Sequence, residues 1–281
     1  MTTEEEQPIN VEAFFTMSIA EVRETLKATR KNRLAQLPPA KLEEPSSITD
    51  SDFQGPESVI PIRIYTPEGS GPFPGIVFYH GGGWIMGDLE TYDSVCRAMC
   101  VGTGAVLVSV DYRLAPEYKF PAATEDAYAG LIHVVANAKK YNIDPTRIAV
   151  AGDSAGGNIS AAVTLMTRDL RLFGKTQAFL NTSSFRTAYH RKPEDAESIY
   201  ASPLLADLTG LPAAYLLTCD DDPLRDEGLA YCNKLKASGV PCEYTNVIGQ
   251  SHGFFDRNKY QVPEVAQYHD AIFAAIKKAL A

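Results

Sequence analysis

No apolar run in the chain is long enough to span a bilayer. The opening Met-Thr-Thr-Glu-Glu-Glu has neither the basic start nor the apolar stretch of a secretory signal. Basic residues are in deficit: 26 Lys and Arg stand against 35 Asp and Glu, a net charge of −9. That balance argues against nucleic acid or an anionic membrane as partner. The five cysteines are an odd number, with no C-x-x-C pair and no zinc-like grouping with histidine, so neither a disulfide framework nor a metal site is expected. They read as reduced core thiols, with Cys96 and Cys100 one helical turn apart on a buried face. Internal repeats and low-complexity tracts are missing as well. The expectation left by these absences is a soluble cytoplasmic protein.

What remains is ordinary globular composition, 45% apolar and 22% charged over 281 residues, ample for one large core. Residues 1–8 read as disordered. From Val11 to Leu37, apolar residues among polar ones predict one or two amphipathic helices, with Ser18 as a cap and Pro38-Pro39 as the stop. Glu12, Glu21 and Glu24 weigh against a membrane-surface role. Residues 1–40 are therefore an appendage, suited to capping a site, on a core that begins near residue 41. Alternation in 45–66 predicts two antiparallel strands turning at Gly55-Pro56. The continuous apolar runs 75–79 and 105–110 read as buried parallel strands. Further strands are expected at 148–151, 177–180, 213–219 and 243–247. Helices are expected at 92–102, 122–141, after Ser154, at 223–238 and at 263–280. Strands alternating with helices imply an α/β fold with a mostly parallel sheet covered on both faces.

Gly152-Asp153-Ser154-Ala155-Gly156 has the G-x-S-x-G pattern between an apolar strand and a helix, the arrangement of a nucleophile elbow. The turn is crowded, which calls for glycine two residues either side of the serine. A glycine-rich turn with Ser154 as a helix cap explains the pentapeptide equally well, so other stretches must decide. His80-Gly81-Gly82-Gly83-Trp84 follows the strand 75–79. Three glycines let backbone N–H groups approach a ligand oxygen, as an oxyanion hole requires.

Serine chemistry also needs a base and an orienting acid, and in this architecture both follow the serine in the chain. His80 and His133 precede the elbow, and His190 precedes the acid-bearing strand. His269 lies within the terminal helix and reads as an ordinary surface residue. His252, in a loop after the strand ending near Val247, stands where ligand sites collect in α/β sheets. The strand 213–219 empties into Asp220-Asp221-Asp222-Pro223. Asp222 also suits a helix cap, and spacing alone leaves Asp220, Asp221, Asp222 and Asp226 open as the acid.

The stretches His80–Trp84, Asp111–Glu117, Phe120–Ala123, Gly152–Asn158, Tyr200–Leu204, Asp222–Glu227 and His252–Phe254 stand in the order of the bacterial hormone-sensitive-lipase-like esterases. Over nearly the whole chain after residue 40, the sequence resembles this family of α/β-hydrolases. The resemblance implies Ser154 as nucleophile, His252 as base and Asp222 as acid. It implies an oxyanion hole from the N–H groups of Gly82, Gly83 and Ala155, with no cofactor and no metal. Asp153 and the Asp111–Glu117 stretch take structural roles. The activity implied is hydrolysis of short-chain acyl esters, a small-molecule substrate, with residues 41–281 as the catalytic domain and homo-oligomerisation left open. A non-catalytic binding protein on the same scaffold, or an amidase or deacetylase, are the alternatives. One departure stands out. The family runs from the strand matching 177–180 into a Tyr-Pro stretch and lid helices, whereas here 181–200 is short and polar. A shortened lid segment after Leu180 is expected.

Overall fold

The computed structural model describes residues 17–36, 42–169, 177–180, 189–256 and 263–281. The expected disorder at 1–8, the first amphipathic stretch before residue 17 and the segment 181–188 lie outside the described residues. The chain divides into two units, Met1–Leu37 and Pro38–Ala281. In the first unit, α1 spans Ile19–Ala35. Ser18 starts it as expected, with Glu21 N donating to Ser18 Oγ at 3.3 Å and Ser18 N to Glu21 Oε2 at 2.7 Å, a reciprocal pair that satisfies two orphan donors.

The second unit is built on one eight-stranded sheet: β1 Ser47–Gln54, β2 Val59–Thr66, β3 Phe73–Tyr79, β4 Val106–Val110, β5 Ile143–Gly152, β6 Gln177–Leu180, β7 Ala214–Asp221 and β8 Cys242–Ser251. Their order is β1-β2-β4-β3-β5-β6-β7-β8. β1, β2 and β4 pair antiparallel, and every pairing from β4 through β3 to β8 is parallel. The helices are α2 Asp93–Thr103, α3 Ala122–Ala136, α4 Ala155–Asp169, α5 Arg225–Ala237 and α6 Pro263–Ala279. α2 packs against α6 on one side of the sheet, and α3 packs against α4 on the other. The apolar strand faces explain why the sheet is sandwiched. Ile76, Phe78, Leu107, Ala149 and Ala151 meet Cys96, Met99, Cys100, Phe273 and Ile276 in one cluster. Each large side chain taken from water there contributes about 1.5–3 kcal/mol. All five cysteines are free; Cys96, Cys100, Cys219 and Cys232 are buried as expected, whereas Cys242, at the first position of β8, is only partly buried and is not a core thiol.

Several boundaries differ from the sequence reading. β5 begins at Ile143 rather than 148, because Phe73 pairs with Ile143 before a register shift. α3 ends at Ala136, where Asn137 turns its side chain onto the carbonyl of His133. β8 does not stop near Val247. It continues to Ser251, across a bulge opposite Cys219–Asp221.

The order β4-β3-β5 sets the position of the site. The chain leaves β3 for β4 on one side and returns to β5 on the other, so a crevice opens above the carboxyl ends of β3 and β5. Those ends, Tyr79 and Gly152, are register partners.

Candidate active site

Four loops emerge at this carboxyl edge, one each from β3, β5, β7 and β8. The β5 loop carries Ser154. Its φ is +52°, a conformation uncommon for a residue with a side chain, and the first N–H groups of α4 open directly behind it. The turn is that tight because Gly156 lies against the chain end of β3: a Cβ there would collide with the carbonyl of Tyr79. Gly156 N–H closes the turn onto Asp153 O at 2.8 Å. α4 is buried on nearly every side, which anchors the elbow in the interior.

Asp222 and His252 leave the adjacent strands β7 and β8 just past the register pair Asp221–Ser251. His252 Nε2 stands 3.0 Å from Ser154 Oγ. On the other side of the ring, Nδ1 stands 3.0 Å from Asp222 Oδ2, an ion pair once the ring is protonated. The Asp222 carboxylate is completely buried, and its second oxygen accepts from Leu224 N at 2.8 Å. The three residues named for nucleophile, base and acid are thus brought into one chain of contacts.

The remaining acids of the cluster have separate places. Asp220 accepts from Asn246 Nδ2 at 2.6 Å and from Gly249 N at 3.1 Å, tying the bulged end of β8 to β7. Asp221 offers its backbone carbonyl to His252 N at 3.0 Å. Asp226 is 85% exposed and pairs with Arg225. β8 is three strands from β5, roughly 14 Å at about 4.8 Å per strand. The extension of β8 to Ser251, held by Asp220, carries His252 to the mouth from which it reaches Ser154.

The β3 loop is His80–Gly83. Gly82 and Gly83 take φ of +115° and +61°, values open to glycine. The Gly81 carbonyl contacts His80 Nδ1 at 2.7 Å, and the Gly82 carbonyl accepts from Ile85 N and Met86 N, both at 3.1 Å. In a trans peptide the N–H points opposite to the carbonyl. With these carbonyls tied to one side, the N–H groups of Gly82 and Gly83 face the other. His80 itself is fully buried and stacked on Tyr112 at 4.3 Å. Burial holds the Tyr112 phenol well above its usual range, so its hydroxyl remains a donor, reaching His80 O at 2.7 Å. Trp84, next in the chain, is stacked on Tyr189 at 4.3 Å and 8°, and Tyr189 OH meets Thr124 Oγ1 at 3.1 Å.

The Asp111–Glu117 stretch anchors the loops through Arg113. Its guanidinium grips the fully buried Asp126 with bonds of 2.7 and 2.8 Å and reaches Glu57 in the β1–β2 turn. Asp126, Tyr92 and Tyr189 were not singled out from the sequence, since each acts through a partner far away in the chain, and Asp220 stood there only as a candidate acid, not as the clamp on β8. His269 is a correction. It is not a surface residue but is 4% exposed, packed among Phe254, Phe255 and Phe273, because α6 turns that face to the loop carrying His252. Among the described residues no group of three or more His, Cys, Asp or Glu could hold a metal ion, and no helix is long and apolar enough to cross a membrane. A small space beside Gly152 and Asp153 is lined by Phe78, Met99, Tyr215 and Phe255. Neither Ser154 nor His252 is among its lining residues.

A family model of the alpha/beta hydrolase fold matches residues 76–181 and 171–256. Carboxylesterase NlhH of Mycobacterium tuberculosis is 40% identical over 252 residues, covering 79% of this chain and 79% of that protein. Among solved structures, EstE1, a thermostable carboxylesterase cloned from a metagenomic library, has a TM-score of 0.87 at 36% identity, covering 95% of this chain and 99% of its own. A hyperthermophilic esterase of the archaeon Pyrobaculum calidifontis has a TM-score of 0.86 at 37% identity, with 94% and 93% covered.

Proposed function

The chain belongs to the hormone-sensitive-lipase-like esterases of the α/β-hydrolase fold and is a serine carboxylesterase, and we propose that Ser154, His252 and Asp222 carry its reaction. Ser154 Oγ attacks the ester carbonyl while His252 Nε2 takes its proton. Asp222 fixes the tautomer of the imidazole and stabilises the imidazolium. The tetrahedral oxyanion is held by the N–H groups of Gly82, Gly83 and Ala155. Collapse expels the alcohol, which carries off the proton from His252. Water then attacks the acyl-enzyme, again through His252, and the acid is released. The 3.0 Å approach of His252 Nε2 to Ser154 Oγ carries this reading, since a serine hydroxyl is a weak nucleophile without an adjacent base.

The substrate we propose is a small ester with a short acyl chain. A relative 28% identical over 270 residues, covering 82% of this chain and 85% of that protein, is the ethyl acetate hydrolase of Pseudomonas putida, and the short acyl group in that name supports this. The five free thiols suit a reducing compartment, the cytoplasm.

The decisive experiment is a p-nitrophenyl ester series of increasing acyl length, with matched amides and Ser154→Ala as control. We expect hydrolysis of short esters, little of amides, and no turnover or fluorophosphonate labelling by Ser154→Ala. Turnover by Ser154→Ala would overturn the mechanism, and a maximum at long chains would overturn the substrate class.

A further inference from the structure

An oxyanion hole works only if its donors stay where the charge will develop, and the loop that supplies Gly82 and Gly83 has no side chains of its own to pack between Gly81 and Gly83. One peptide group at its root is gripped at both ends. The carbonyl of the His80–Gly81 peptide accepts from Tyr112 OH at 2.7 Å. The N–H of that same peptide donates to Asp153 Oδ1 at 3.0 Å. The second carboxylate oxygen, Oδ2, accepts from Tyr92 OH at 2.9 Å. The fit beneath the loop is close: a Cβ on Gly81 would lie 2.5 Å from Asp153 Oδ2 and 2.7 Å from Tyr92 OH.

Asp153 is also the residue before Ser154. The nucleophile's backbone and the root of the oxyanion loop are therefore joined through a single side chain. An unbalanced carboxylate at this place would oppose a developing oxyanion. Here one oxygen accepts from Gly81 N–H and the other from Tyr92 OH, which offsets part of that charge.

We propose that Asp153, supported by Tyr92, is a positioning residue: it locks the oxyanion loop to the nucleophile elbow and sets the distance from Ser154 to the Gly82 and Gly83 N–H groups. The inference rests on the Ser154–His252–Asp222 reading and adds a second carboxylate with a different task. Asp222 orients the base and Asp153 orients the electrophilic donors.

The test compares Asp153→Ala, Asp153→Asn and Tyr92→Phe with wild type and Ser154→Ala. The readouts are kcat, KM, the pH profile, and the inhibition constant of a trifluoromethyl ketone, which adds Ser154 Oγ to form a hemiketal oxyanion. Removing one oxyanion donor typically costs about 100-fold or more in turnover, so Asp153→Ala should lose on the order of 100-fold in kcat with little change in KM. Ketone affinity should weaken in parallel. Asp153→Asn keeps an acceptor for Gly81 N–H and should recover much of the loss, and Tyr92→Phe should lose the least. The pH of half-maximal activity should not move in any of them, because Asp222 still faces His252. Wild-type kcat in Asp153→Ala, a loss confined to KM, unaltered ketone affinity, or a shifted pH profile would overturn the proposal. If Asp153→Ala does not fold, Asp153→Asn and Tyr92→Phe decide it: wild-type kcat and ketone affinity in both would overturn it. Failure of the underlying reading would show separately, as turnover by Ser154→Ala.

Discussion

Oδ2 of Asp222 and Nδ1 of His252 stand 3.0 Å apart, at the ends of neighbouring parallel strands whose last register pair is Asp221 and Ser251. The sheet itself sets the two side chains face to face. Replacing the carboxylate with an amide keeps the shape but presents a donor to Nδ1 and favours the wrong tautomer. In the proposed mechanism, Asp222→Asn should lower kcat by as much as about 10⁴-fold, with an unchanged melting temperature. Asp226→Asn, on an exposed side chain paired to Arg225, should match wild type. Steady-state kinetics on both variants checks the assignment among the four neighbouring acids.

Asp220 acts one step further out. It fixes Asn246 and Gly249, which shape the bulge that brings His252 forward. Without that clamp the imidazole has more freedom relative to Ser154, and a displacement near 1 Å can cost about 100-fold. Asp220→Ala should reduce kcat at least tenfold by the same argument while Asp220→Asn, which keeps an acceptor, should reduce it less. The rate of fluorophosphonate labelling should fall with kcat in both, and equal labelling rates in wild type and Asp220→Ala would contradict the clamp.

The Arg113–Asp126 pair is buried on both sides, with side-chain exposures of 6% and 0%. Removing one member leaves the other charge without its partner in the interior, typically a loss of about 3–5 kcal/mol. Arg113→Met should therefore unfold at markedly lower urea concentration than wild type. Glu57→Gln, which alters only the exposed arm of the network, should stay within about 1 kcal/mol.

His133 makes stability fall on acidification. Burial, and then the nearby Lys140, lower its pKa in the folded protein, where Nε2 contacts Tyr141 OH at 2.7 Å. The unfolded chain consequently binds a proton at a higher pH, near the ordinary value of about 6.5. The stabilisation of the neutral ring is complete above that value and is lost as pH drops toward the lowered native one. Between pH 7.5 and 5.5 the melting temperature of wild type should fall more than that of His133→Gln. Coincident falls would remove His133 from the account.

Much of this architecture was legible because periodicity is a local property. The runs 75–79 and 105–110 emerged as buried parallel strands, and Ser18 emerged as the start of a helix, since each depends on residues within a turn or a strand of one another. Boundaries that depend on a neighbour were not legible. The extension of β8 to Ser251 is set by Asp220 on β7, and the burial of His269 is set by aromatic rings from another segment. Neither leaves a mark on its own stretch.

By itself the sequence determined the kinds of group available: a serine between crowding glycines, a glycine loop after a buried strand, and a histidine and acids late in the chain. It also determined the order in which they occur, because order and composition are carried by covalent connectivity. Spacing left Asp220, Asp221, Asp222 and Asp226 open and the family resemblance implied Asp222; only the tertiary structure sets Asp222 against His252 and has Asp153 bridge Ser154's turn to the loop at Gly81. Those choices turn on a few ångströms between strands that are distant in the chain, and such distances exist only once the sheet has paired and its register is set.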